Sequence, residues 1–471
     1  MATKAKLNED QQDAFKALQK FIEHPAADTF VLKGYAGTGK TFLMQYFAKW
    51  LEEKKYKFSL LASTGRAAAV LRGKTGLTTK TLHGELYHFS KLEGDDDDEL
   101  PDDAPVEQHG QMSLVFALRP PDEAKMIYII DESSMLSSEL SEDTTIVSFG
   151  SGNLLSDFFA AAGNNKIIFV GDPGQLPPIK QIFSPALEMT WLADQRRIAV
   201  SVTLNKIERN EADNDILILA DNVRSMNDWD SHVRYPKLPC SNLNNVTMYS
   251  TDKELFDCYV RKFKEKGANG TIAIARSNKM VQDINRAVRR DLFGQIDLQI
   301  EDSDILLVVQ NNYAIPLTNG DFVSVIKLGE KVEQGGLFFQ NIEIKTLLSD
   351  TEHDMLISLD ILYGAEPNYT KDQQKRLMVD FKKRMKKKGI SFKSKEFKAA
   401  MLTDPFLNCI RAKYGYAVTC HKAQGGEWDD VFLFLESKMY GMSKPELFRW
   451  WYTAITRTRI RLHIAKNWWI V

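Results

Sequence analysis

Eight residues near the start of the chain, Gly34-Tyr35-Ala36-Gly37-Thr38-Gly39-Lys40-Thr41, have types and spacing that suit phosphate chemistry. They read G-x-x-x-x-G-K-T, after the apolar run Phe30-Val31-Leu32 and before the helical pattern Phe42 to Leu51. Gly37 and Gly39 let the backbone approach a phosphate and turn its N–H groups inward. The helix that follows adds its positive end. Lys40 can reach the β- and γ-phosphates of a nucleoside triphosphate, and Thr41 can offer a hydroxyl to Mg²⁺. Further on, the apolar run Met126 to Ile130 leads straight into Asp131-Glu132-Ser133-Ser134. There one carboxylate can hold Mg²⁺ and its neighbour can accept a proton from an attacking water. A helix cap with two stray acids has the same local pattern, and the phosphate loop upstream weighs against it. The run Lys166 to Val170 ends in Gly171-Asp172-Pro173-Gly174-Gln175, where a glutamine can orient water or sense the γ-phosphate. Arg457, at the end of the apolar helix Glu446 to Ile455, is a candidate finger onto that phosphate from a second unit.

These groups need a sheet to hold them. Leu7 to Ile22 has helical spacing, with Asn8 as its cap. Phe58 to Ala62 reads as a buried strand ending in Ser63-Thr64-Gly65-Arg66, and strand ends of this kind carry ligands in parallel sheets. His83, in Thr79-Lys80-Thr81-Leu82-His83-Gly84, reads either as a structural histidine or as a ligand contact. Leu86 to Phe89 and Ser113 to Leu118 suggest a hairpin whose acidic tip (93–109) is a solvated loop. A second α/β unit opens near residue 197 with Val202-Thr203-Leu204 and continues at Thr271 to Arg276. Short β stretches follow at Ile305 to Val309, Phe322 to Ile326, Phe338 to Thr346 and Asp354 to Leu362, with turns at Asn319-Gly320 and Gly335-Gly336. Thr370 to Phe397 reads as a strongly basic helix, which suits a solvated face and a phosphate track equally well.

At 471 residues, 44% hydrophobic and 26% charged, the chain is an ordinary globular one with room for several cores. Its net charge of −2 gives no overall footprint for nucleic acid, so any such surface must be local. Cys240, Cys258, Cys409 and Cys420 are scattered, which argues against a zinc site or a disulfide scaffold. With no signal peptide and no apolar run of membrane-spanning length, a cytoplasmic protein is expected.

In this order the segments resemble a superfamily 1 DNA helicase of the 5′→3′ branch, RecD- and Dda-like. The resemblance rests on Leu7 to Gln11, Gly34 to Thr41, Ala62 to Ala68, Thr81 to Gly84, Asp131 to Met135, Gly171 to Pro178, Arg209, Val418 to Gly425 and Tyr452 to Arg457. It implies an α/β fold of two RecA-like parallel-sheet domains, with a β-hairpin pin inserted in the first and an SH3-like β-rich insertion in the second. The implied boundaries are 1–85 and 119–196 for the first domain around a hairpin at 86–118, then 197–310 and 405–471 for the second around an insertion with a basic helix at 311–404. It further implies ATP and Mg²⁺ as cofactors. Lys40, Asp131, Glu132, Gln175, Arg209 and Arg457 would be catalytic. Gln11, Gly34, Ala36, Gly37, Thr38, Gly39, Lys40, Thr41, Gly425 and Glu427 would bind ATP, and Thr41 and Asp131 the metal. Thr64, Gly65, His83, Thr419, His421 and Lys422 would contact DNA. Single-stranded and forked duplex DNA would be the partners of a monomeric motor in a bacterial or phage-infected cell, associated with the nucleoid. No residue reports on the sugar, so an RNA-acting relative remains open, as does a nucleic-acid-binding scaffold with a vestigial ATP site.

Overall fold

The computed structural model describes residues 6–93, 113–120, 125–140, 147–207, 214–226, 236–294, 299–312, 315–392 and 394–471. Strands of the first half are Thr29–Gly34 (β1), Phe58–Ala62 (β2), Thr79–Thr81 (β3), Tyr87–Glu93 (β4), Ser113–Leu118 (β5), Ile127–Asp131 (β6), Val147–Phe149 (β7), Lys166–Gly171 (β8) and Ala199–Leu204 (β9). Six of them form one sheet in the order β3-β2-β6-β8-β1-β9, every pairing parallel. Both faces are covered, so the central strands are continuously apolar: Ile167 to Val170 is wholly buried. On one face, helix Glu9–Glu23 and helix Lys40–Glu53 pack Leu18, Phe21, Leu43 and Phe47 together. On the other, Leu155 and Phe158 close the core.

The second-unit strand expected near residue 202 is not there. β9 pairs with β1 from Thr29↔Ala199 to Gly34↔Leu204 and forms the edge of the first sheet. Without it, the open edge of β1 would leave a row of backbone donors and acceptors unpaired. The expected hairpin is present as β4 against β5, from Tyr87↔Leu118, and β7 joins it. Its acidic tip lies, beyond Glu93, outside the described residues.

The later strands are Val246–Tyr249 (β10), Thr271–Ala275 (β11), Ile305–Val308 (β12), Phe322–Gln334 (β13), Leu337–Thr346 (β14), Glu352–Ser358 (β15), Ala412–Tyr414 (β16), Ala417–Thr419 (β17), Trp428–Phe434 (β18) and Thr458–Ala465 (β19). A second parallel sheet runs β10-β19-β18-β11-β17. An antiparallel sheet, β15-β14-β13-β12-β16, reaches past 311–404 at both ends through β12 and β16. Gly335 (φ 60°) and Gly336 (φ 70°) supply the left-handed pair that the two-residue turn between β13 and β14 requires. The strand expected over Asp354 to Leu362 stops at Ser358, whose Oγ accepts from Ile361 N–H (3.2 Å) and starts a helix, Leu359–Tyr363.

The single basic helix expected over 370–397 is two, Lys371–Lys387 and Lys395–Thr403, separated where Gly389 turns left-handed at φ 71°. Met378, Phe381 and Met385 of the first meet Phe397 and Met401 of the second, and Phe89 and Leu114 of the hairpin pack on the same cluster. Arg384 is held by Asp380 (2.8 Å) and Asp404.

Candidate active site in the cleft between the parallel domains

In the first sheet β6, β8 and β1 are consecutive neighbours, so the segments leaving their carboxyl ends converge. That places Asp131 and Glu132, Gln175, and the glycine loop on one rim. Gly37 (φ 78°) and Gly39 (φ 75°) adopt the left-handed backbone that turns the loop around. Lys40 Nζ lies across the loop, donating to the carbonyls of Gly34 (2.6 Å) and Tyr35 (3.0 Å). Thr38 Oγ1 donates to Tyr35 O at 2.8 Å. Gln11 supports the loop from beneath: its Nε2 donates to Thr38 O (3.1 Å) and its Oε1 accepts from Asn8 N–H (3.1 Å). Both ends of this amide, expected to bind ATP, make hydrogen bonds within the protein.

The cleft holds about 610 Å³. Ala36, Gly37, Gly39, Lys40 and Thr41 line it with Asp131, Glu132 and Gln175 of the same domain, and Gly425, Glu427 and Arg457 line it from the second domain. Arg209 lies outside the described residues. Burial pushes both acids up; the neighbouring Asp131 carboxylate reinforces this for Glu132, against the pull of Arg457 and Lys40, and raises it to about 7. Glu132 N–H donates to Asp131 Oδ1 (2.9 Å), and its own backbone sits at φ 51°, a left-handed conformation that residues with side chains rarely adopt. Gln175 is buried, with Oε1 lacking a hydrogen-bond partner among the described residues. A left-handed glycine cradle, an ammonium, a hydroxyl, two carboxyls and an orphaned amide oxygen fit a Mg²⁺-bound nucleoside triphosphate.

Glu427, expected to bind ATP, lines the cleft and pairs with Lys74 of helix Gly65–Thr75 at 3.2 Å. Burial alone would raise this carboxyl, but Lys74 and Arg457 outweigh it and hold it below its usual range. Arg457 is buried and held by the carbonyls of Thr453 (3.0 Å) and Gly426 (3.2 Å).

The seam between the domains rests on residues to which sequence reasoning assigned no role. The Tyr452 hydroxyl accepts from Ala36 N–H (2.8 Å) and donates to Asp172 Oδ2 (2.8 Å), so one phenol ties the phosphate loop to the Gln175 segment. Asp172 Oδ1 accepts from Gly174 N–H (2.9 Å). Leu176 N–H donates to Thr453 Oγ1 (2.9 Å), and Gln424 Nε2 donates to Leu176 O (3.0 Å). Arg66 enters the second domain between the rings of Trp428 (4.4 Å) and Phe322 (4.9 Å). Burial pulls its guanidinium down to about 10, still charged at neutral pH. A Cβ on Gly65 would fall 1.4 Å from Thr318 Oγ1, so the antiparallel insertion presses directly on this turn. Tyr452 and Arg66 fall within stretches that carry the resemblance, Tyr452 to Arg457 and Ala62 to Ala68, but the sequence names no partner for either.

The six candidate nucleic-acid contacts follow neighbouring strand ends. Ala62 pairs with Thr81, so Thr64 and His83, each two residues on, share the rim of the first sheet, with Gly65 next to Thr64. Thr64 Oγ1 caps its helix by accepting from Ala67 N–H at 3.2 Å. His83 lies beside the rings of Tyr87 and Phe149, and burial lowers its pKa. Thr419 pairs with Ala275 at the rim of the second sheet, and Thr419 and Lys422 line a cavity of about 480 Å³ with Asn278 and Arg286. His421 and Lys422 follow Thr419, and burial lowers both.

Two families match this chain: the AAA domain over residues 6–227 and the UvrD-like helicase C-terminal domain over residues 414–465. The RecD subunit of the RecBCD enzyme from Buchnera aphidicola is 23% identical over 362 residues, 72% of this chain and 53% of RecD. The chain is thus similar to helicases of the RecD type over most of its length. The ATP-dependent RecD2 DNA helicase of Deinococcus radiodurans is 24% identical over 92% of the chain and 46% of its own length, so the chain spans about half of each of these relatives. A solved structure of two Pif1 helicases coordinating at forked double-stranded DNA covers 99% of this chain and 93% of its own, with a TM-score of 0.51 at 17% identity. That likeness is one of fold, two RecA-like parallel sheets with added β-rich parts.

Proposed function

We propose that the chain is an ATP-dependent DNA helicase that translocates 5′→3′ along a single strand as a monomer and opens forked duplexes in the cytoplasm of a bacterial or phage-infected cell. The observation that carries this is the two-sided cleft: Lys40, Thr41, Asp131, Glu132 and Gln175 on one domain, Arg457 on the other. Mg²⁺, bound by Thr41 and Asp131, would neutralise charge on the phosphates. Lys40 and Arg457 bring fixed positive charge to where negative charge develops in the transition state. Glu132, at about 7, is matched to taking a proton from the attacking water near neutral pH. Gln175 orients that water. Because Arg457 and Tyr452 reach the cleft from the second domain, closing the cleft moves Thr419 relative to Thr64, and the strand they hold shifts with them.

The test is ATP turnover with and without single-stranded DNA, then unwinding of 5′-tailed and 3′-tailed duplexes. Stimulated turnover that is lost in Lys40→Ala, with unwinding from the 5′ tail, is the expected result. No stimulation by DNA refutes the motor, and unwinding only from a 3′ tail refutes the direction.

A further inference from the structure

The carboxyl rim of the second parallel sheet continues beyond Thr419. In sheet order β17, β11, β18 and β19 it carries Thr419, then Arg276 to Asn278, then residues 436–441, then 467–469. At its far end is a cavity of about 1050 Å³ that the cleft chemistry does not use. Tyr440 and Trp468 line it, 73% and 50% exposed. Neither ring sits on a loose segment. Met439 is buried beneath the turn Ser437–Gly441, and Trp469 Nε1 donates to Glu436 O at 3.1 Å, tying the two loops together. Lys237 Nζ lies 3.8 Å from the Trp468 ring centroid and backs one face of it. Large rings held toward water by anchored backbone mark a binding surface.

Charge does not define this site. Arg276, Lys279 and Lys438 on its walls are matched by Asp252, Asp283 and Glu436. Glu436 is itself committed to the N–H groups of Arg276 (3.1 Å) and Ser277 (2.7 Å). What the cavity offers is ring faces beside a few cations, on the same rim as Thr419.

We propose that Tyr440 and Trp468 form a stacking site for unpaired nucleic-acid bases, extending the strand's path from Thr419 across the ends of β11 and β18. This rests on the reading above that the rim carries a single strand. Two or three strand spacings of about 4.8 Å separate the two points, a span of a few nucleotides. Stacking on an aromatic ring strengthens binding by about 5- to 150-fold per base, whatever the base.

The test compares oligo-dT of 8 and 16 nucleotides binding to the full chain and to a Tyr440→Ala/Trp468→Ala variant. The 8-mer should bind both equally. The 16-mer should lose at least about tenfold in the variant, by the same factor at low and moderate salt, because stacking releases no counterions. Trp468→Phe should keep the 16-mer affinity while losing part of the tryptophan quenching that accompanies binding. A variant that keeps the full 16-mer advantage, or loses it only at low salt, overturns the site while leaving the motor intact. If neither oligomer binds the unaltered chain, the functional reading falls and this site falls with it.

Discussion

Tyr452→Phe removes one oxygen atom and nothing else from the seam. Across the seam that oxygen satisfies Ala36 N–H and Asp172 Oδ2, each at 2.8 Å. Asp172 is fully buried, and Oδ1 already accepts from Gly174 N–H. Phenylalanine therefore leaves a buried carboxyl oxygen and a partly buried backbone donor without partners, at about 1–3 kcal/mol. Both orphaned groups belong to the first domain and the ring to the second, so the cost falls on docking the domains and not on folding either one. In turnover, about 1–3 kcal/mol is about 5- to 150-fold. The expected result is a DNA-stimulated kcat lowered within that range, with a melting temperature near that of the parent. A kcat within twofold of the parent would show that the phenol does not couple the phosphate loop to the Gln175 segment.

Arg66→Met keeps the length of the side chain but drops the charge held between Trp428 and Phe322, worth about 0.5–2 kcal/mol. DNA-stimulated turnover should fall several-fold, with Arg66→Lys intermediate; equal rates for all three chains would refute a coupling role. The chain should also lose stability in acid. Asp430 is almost fully buried, and although burial raises it, hydrogen bonds from His463 and Lys266 bring it from 3.8 to about 2. Its contribution, about 2 kcal/mol, is complete above 3.8 and is lost as pH falls toward 2. Burial also holds His463 below its ordinary 6.5, outweighing Asp430, so stability begins to fall below that pH. Urea midpoints between pH 7 and 3 report the loss, and an Asp430→Asn chain with the same acid dependence would refute this assignment.

The cleft was legible early because phosphate chemistry is local in sequence. A loop that wraps an anion needs glycines at positive φ and a lysine at the first position of a helix, as Gly37, Gly39 and Lys40 provide. The acids were legible because Asp131 and Glu132 end a buried strand downstream of a phosphate loop, which weighs against a mere helix cap. Strand assignments were less secure. The pattern of Ala199–Leu204 says strand, but not that β1 is its neighbour. The basic segment has the pattern of one helix because its run of charge masks the break at Gly389.

What the sequence by itself determined is the kind of chemistry: residue types at fixed spacing that bind phosphate and place two carboxyls beside it. Tertiary structure alone decided how the two halves of the site are joined. Tyr452 meets Ala36 across 416 residues of chain, Arg66 finds its rings in another domain, and Gln11 turns its amide to the loop. A hydrogen bond or a ring contact depends on which partner the fold brings within about 3–5 Å, and no periodicity in the chain encodes that partner.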